Sequence, residues 1–229
     1  MSAETVLALH DVGFDYGALM VIDKLSLDVK RDELVMCVGP SGCGKSTLLG
    51  LLGGHLPPTR GKIDRRGVSR TIYQDGGLFP WLTVRENIAL GNVKKADEWL
   101  EITRLADFGA SYPHELSGGM RQRVELARAL AAETDILLMD EPFSALDYQT
   151  RNRMRRELVS TLAERPRTVV FVTHDIEEAV QIGDRVVVLG TRPACVVREL
   201  ALPPGRSRTP AAPGVAEAEQ AIMEELGLS

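Results

Sequence analysis

Residues 39–47 read GPSGCGKST, with the spacing G-x-x-x-x-G-K-[ST], between an apolar run, LVMCV, and a helical one, TLLGLLGG. That is the context a phosphate-cradling loop requires. Its glycines, Gly39, Gly42 and Gly44, let the backbone turn so that successive N–H groups face phosphate oxygens, with Pro40, Ser41 and Cys43 completing the loop. A helix opening at Lys45 adds the partial positive charge of its N-terminus. Lys45 is expected to reach β- and γ-phosphates and Ser46 to hold Mg²⁺ through its hydroxyl, the loop ending at Thr47. Cys43 sits where a helix terminus can lower a thiol pKa, which would make it oxidation-sensitive; the stronger expectation is a small residue that fits the loop.

A second cluster lies in ILLMDEP, residues 136–142, where a buried strand delivers Asp140 and Glu141 at its carboxyl end. In a doubly wound sheet that end lies beside the phosphate loop. Hydrolysis of a phosphoanhydride relies on positioning and charge neutralisation, so Asp140 suits a Mg²⁺ ligand acting through water and Glu141 suits the group that orients the attacking water. His174, in VTHD, and Gln74, after SRTIY, come off the same edge, His174 toward the γ-phosphate and Gln74 toward Mg²⁺ and the water. A different glycine pair stands in ELSGGMRQRVELARAL from Glu115, where Ser117, Gly118 and Gly119 open a helix. Serine caps a helix well, but a helix start does not require the second glycine.

The elements that position these groups follow from periodicity. Strands are expected at 6–10, 25–29, 34–38, 69–73, 136–139, 168–173, 185–189 and 195–200, and helices at 45–53, 96–107, 119–132, 149–163, 176–182 and 215–226. The runs LVMCV, ILLMD and TVVFVTH are apolar on both faces, as in a central parallel sheet covered by helices. The amino-terminal strands alternate and suit an antiparallel side sheet. Residues 76–118 read as a mostly helical insertion. LPPGRSRTPAAPG, from Leu202, reads as a mobile linker before the last short helix.

Composition excludes some classes. A formal charge of −5 with 26% charged residues carries no basic field, which argues against nucleic acid as the main partner. The longest apolar runs are strand-sized, and no N-terminal signal pattern is expected. The three cysteines, Cys37, Cys43 and Cys195, form no C-x-x-C pair and read as free thiols. RNRMRRE, from Arg151, reads as a solvated basic helix face, with Arg153 spaced to pair with Glu157.

Taken in order, these motifs resemble the ATP-binding subunit of an ABC transporter over nearly the whole chain, to about residue 200. The Walker A loop is GPSGCGKST, the Q-loop is YQDGGLFPWLTVRENI with Gln74, the signature is LSGGMRQR, Walker B is ILLMDEP, and the D-loop is SALD, ending at Asp147. The resemblance implies an α/β fold, a P-loop NTPase (RecA-like) core with an antiparallel β subdomain and an inserted α-helical subdomain. Residues 1–205 would form the ATP-binding domain and 206–229 a tail. It implies an ATPase using ATP and Mg²⁺, with Glu141, His174 and Gln74 catalytic, Ser46, Gln74 and Asp140 at the metal, and Tyr16 stacked on adenine with Phe14 as runner-up.

The family resemblance also implies a head-to-tail homodimer, in which Ser117, Gly118 and Gly119 contact the ATP of the partner chain. Further implied partners are an integral-membrane permease, reached through Phe79, Trp81 and the helical subdomain, and indirectly a solute-binding protein. The chain would lie peripherally on the cytoplasmic side of the plasma membrane. LFPWLTVRENIALG and YPHELSGGMRQR resemble importers of the nitrate, sulfonate and taurine group. The alternatives are a lipid or efflux transporter ATPase, or a non-transport ABC ATPase; the latter carry long coiled coils or fused ATPase domains. Compared with the family, the segment between Thr47 and Gln74 and the helical insertion are both short.

Overall fold

Elements alternate along the chain as β1 (Thr5–Tyr16), β2 (Leu19–Lys30), β3 (Leu34–Val38), α1 (Lys45–Leu52), β4 (Arg60–Arg65), β5 (Ser69–Ile72), α2 (Val84–Ala89), α3 (Ala96–Ile102), α4 (Gly118–Ala131), β6 (Ile136–Asp140), α5 (Tyr148–Glu164), β7 (Thr168–Thr173), α6 (Ile176–Ile182), β8 (Arg185–Leu189), β9 (Val196–Ala201) and α7 (Val215–Glu225). The computed structural model describes residues 4–73 and 77–228. Two compact units emerge: one of residues to Ser69, Asp135–Asp140 and from Arg167 onward, the other of Arg70–Thr134 and Glu141–Pro166.

In the first unit the central strands lie in the order β6-β7-β3-β8-β9, parallel except for β9. β3, β6 and β7 are buried at every position, as their unbroken apolar runs required. Side chains alternate between the faces. Val35, Cys37, Leu138, Val170, Val172 and Val187 join one core with Leu48, Leu49 and Leu52 of α1 and with Leu7, Leu9, Leu25 and Leu27 of the side sheet. α6 packs on β3 and β7 and against α7. The side sheet is antiparallel in the order β2-β1-β4, as expected. β1 runs further than predicted because a bulge at Asp11, with φ 48, lets pairing resume at Val12 and continue to Tyr16.

The Pro- and Arg-rich stretch is stitched to this unit, contrary to its reading as a mobile linker. Arg208 donates to the carbonyls of Val180 and Gly183 and to Pro203, and Arg206 to Asp184 and the Asp32 carbonyl. One guanidinium offers five donors, enough to replace the ladder that a proline-rich segment cannot form.

In the second unit α2 and α3 pack on α4. α3 ends at Ile102, short of the expected 107, because Arg104 adopts φ 54 and the Leu105 amide turns back to the Leu100 carbonyl. Helix starts are capped by Thr83, Ser117 and Asp147.

Candidate functional site

The phosphate loop joins β3 to α1. Gly44 has φ 121, a region closed to residues with a Cβ, and a Cβ there would lie 2.9 Å from Val21 Cγ1. No side chain caps α1 and no acid stands in its first turn, so its leading N–H groups stay available to an anion. Lys45 is 7% exposed, and its ammonium donates to the Gly39 carbonyl at 2.8 Å and the Pro40 carbonyl at 3.0 Å. An ammonium has three donors, so one is left for a phosphate at the mouth of the loop. Ser41, Gly42 and Ser46 are exposed along it, with Thr47 half-buried. Cys43 is buried against Gly39, and burial pushes its thiol pKa up, Lys45 only partly opposing. The low-pKa reading of Cys43 is thereby corrected: the helix terminus acts on a buried thiol, whose charged form burial disfavours.

The parallel register sets the sheet edge. Val38 pairs with Thr173 and Asp140 with Val172, so the strands that lead to Gly39, Asp140 and His174 end together. Asp140 is buried at 5% exposure, while His174 is exposed and followed by Asp175, the N-cap of α6. Gln74 lies outside the described residues. Tyr16 closes β1 across a hairpin from Leu19, exposed together with Leu19 and Met20, and β2 carries Val21 back to the phosphate loop. Phe14 is buried and holds Tyr16 edge-on, with centroids 4.8 Å apart. Of the two aromatics, Tyr16 alone offers a face to a base.

Glu141 follows Asp140 by one peptide bond and opens the second unit's segment. Its φ is 45, a left-handed conformation that costs a residue with a side chain about 1–2 kcal/mol. Three donors hold the strained carbonyl: Ser144 Oγ at 2.9 Å, Ser144 N–H at 3.1 Å and Gln122 Nε2 at 3.2 Å. Gln122 Oε1 also accepts from the Ala145 amide at 3.0 Å. Gln122, buried on α4, is therefore a positioning residue that sequence reasoning missed; it lies off the Met120–Val124–Ala127 apolar stripe, so periodicity gave no signal for it. Asp147 caps α5 through the Thr150 amide at 3.0 Å, and that bond lowers its carboxyl pKa.

Ser117 caps α4 by accepting from the Met120 amide at 3.3 Å, which leaves its O–H free to donate outward. The two glycines differ. A Cβ on Gly119 would press on the Ala145 carbonyl at 3.1 Å, so packing within the chain explains it. A Cβ on Gly118 would meet only Arg121 Nη2, at 3.9 Å, and its φ is not positive. Nothing among the described residues requires a glycine there.

Phe79 and Trp81 are not core residues. They are 40% and 69% exposed, 5.4 Å apart, with the Arg128 guanidinium 5.7 Å above Phe79. They neighbour a cavity of about 230 Å³ lined by Tyr73, Phe79, Leu90, Glu125 and Arg128. Glu125 is buried and accepts from the Gly77 amide, and desolvation raises its carboxyl pKa to about 7 against the opposing Arg128 and Arg121 charges. Sequence reasoning missed Glu125 too.

Comparison with known proteins follows the same outline. The ABC transporter family model matches residues 22–144. A taurine import ATP-binding protein, TauB, of Pelagibacter ubique (strain HTCC1062) is 41% identical, covering 87% of this chain and 77% of its own. An aliphatic sulfonates import ATP-binding protein, SsuB, of Bacillus cereus (strain ZK / E33L) is 42% identical over 84% and 83%. Among solved structures, a dimeric ATP-binding cassette in a post-hydrolysis state bound to ADP and Pi superposes with a TM-score of 0.77 at 31% identity, over 87% of this chain and 100% of that one. A phosphate loop, an acidic strand end and a capped glycine pair, together with these likenesses, have one common explanation: the chain belongs to the ABC transporter family, as its ATP-hydrolysing cassette.

Proposed function

We propose that the chain works as a head-to-tail homodimer whose ATP cycle powers import of a sulfonate- or taurine-like solute through a separate membrane permease. The observation that carries the dimer is Gly118, an exposed glycine at a helix start that nothing among the described residues of its own chain requires. A phosphate approaching from a second copy supplies the reason, since backbone N–H groups and the Ser117 hydroxyl can then contact it without a Cβ in the way. Asp147, on the segment packed against Gly119, lines the same surface.

Within each site the P-loop backbone and Lys45 bind the β- and γ-phosphates, and Tyr16 stacks on adenine. Ser46 and Asp140, an exposed hydroxyl and a buried carboxylate, form an all-oxygen donor set suited to Mg²⁺, with Gln74 beside them by resemblance. The ion, when bound, neutralises charge on the phosphates. Glu141 accepts a proton from water as the water oxygen bonds to the γ-phosphorus and the bond to the β-phosphate oxygen breaks. His174 donates to the γ-phosphate. Phe79 and Trp81 anchor a helix of the permease, and the chain sits peripherally at the cytoplasmic face. Among the described residues no helix is long and apolar enough to cross a membrane. Relatives named for taurine and aliphatic sulfonate import support the solute class.

Gel filtration of Glu141→Gln tests the dimer: with ATP the variant elutes at twice the mass of the chain. A variant that binds ATP and elutes only as a monomer overturns the shared site.

A further inference from the structure

The basic run at 151–157 is not a plain solvated face. Arg153 and Arg156 line a cavity of about 420 Å³ in the second unit, together with Arg104 and Arg123, and the acid that lines it is Glu157. The expected Arg153–Glu157 ion pair is not formed among the described residues. Arg123 gives Nη1 to the Thr103 carbonyl at 2.6 Å, but its Nε is buried without a hydrogen-bond partner, and so is Arg153 Nη1. An orphaned buried donor costs about 1–3 kcal/mol, more when charged. Crowding adds to this: burial foremost, then Arg153 and Arg104, lower the Arg123 pKa, with Asp147 the opposing charge. Arg123 and Arg153, each with an unpaired donor, both line this cavity, where a bound anion supplies acceptors and countercharge.

We propose that this cavity binds a small anion carrying two phosphoryl groups, at a site separate from the ATP-binding loop. The volume lies within the ~300–1,000 Å³ of small-ligand sites. Four guanidinium groups against one carboxylate leave three positive charges. Two phosphoryl groups, each about −1.5 near neutral pH, match them. Guanidinium forks also favour phosphoryl oxygens geometrically. The site stands independently of the transport reading.

Isothermal titration of the full chain in metal-free buffer, with Lys45→Ala to remove binding at the ATP loop, tests it. The probes are inorganic diphosphate, a hexose 1,6-bisphosphate and inorganic phosphate. One site per chain is expected for diphosphate or the bisphosphate, the tighter of them identifying the source, with phosphate at least tenfold weaker. Arg153→Ala and, at the exposed rim, Arg104→Ala each weaken binding tenfold or more while ADP affinity, read with Lys45 in place, is unchanged. The absence of a site for either two-phosphoryl probe, equal affinity for inorganic phosphate, or binding indifferent to both substitutions overturns the proposal.

Discussion

Glu141 combines a strained backbone with a carbonyl held by three donors, so its main chain is fixed before any substrate arrives. Glu141→Gln keeps that geometry and removes the proposed proton acceptor. Its turnover is expected to fall by two orders of magnitude or more while ATP affinity is kept, measured by phosphate release and nucleotide titration. Gly118→Ala separates the two glycines' roles: folding and ATP binding by the isolated chain stay as in the wild type, since a Cβ there has room, but turnover falls on the order of 100-fold. Wild-type turnover in this variant would show that nothing approaches Gly118. For Tyr16→Ala, loss of stacking predicts roughly tenfold weaker ATP binding with an unchanged melting temperature, because Tyr16 is exposed. The place of the phosphate loop between β3 and α1 was legible in the sequence because spacing fixes it. The state of Cys43 was not, since it depends on β-strand and loop atoms around Gly39 that no local pattern reveals.

At the scale of elements, α4 joins the glycine pair, the Gln122 clamp and Glu125 on one helix. Glu125 has its folded pKa raised from 4.5 to about 7. Between these values the folded chain holds a proton that the unfolded chain has lost, so stability falls as pH rises from about 4.5 to 7 and is then flat in this group. The groups facing it are Arg128 and Arg121 on α4 and the amides of Gly77 and Leu78. Glu125→Gln should flatten that slope and raise stability above pH 7 by on the order of 2 kcal/mol, read by urea unfolding across pH; an unchanged slope would assign the pH dependence elsewhere. β3, β7, β8 and α6 were legible to the residue, being apolar on both faces or closed by clear caps. β4 was not: RGKIDR is largely exposed and owes its strand form to pairing with β1, Ile63 opposite Leu9. α2 is six residues long, too short for periodicity, and only the Thr83–Glu86 capping box announced it.

For the whole molecule, the central claim is that each ATP site is built from two chains. Two substitutions divide the site without disturbing the fold of either copy. Lys45→Ala removes the phosphate-loop ammonium. Gly118→Asp places a carboxylate at the start of α4, where the helix dipole favours it and a phosphate is repelled. Each variant alone is expected to be inactive. Mixed in equal amounts, half of the dimers pair the two variants, and each such dimer holds one site with an intact loop from one chain and an intact glycine pair from the other. ATPase activity of the mixture should reach up to about a quarter of the wild-type rate. A mixture no more active than its separate components would contradict a site shared between chains.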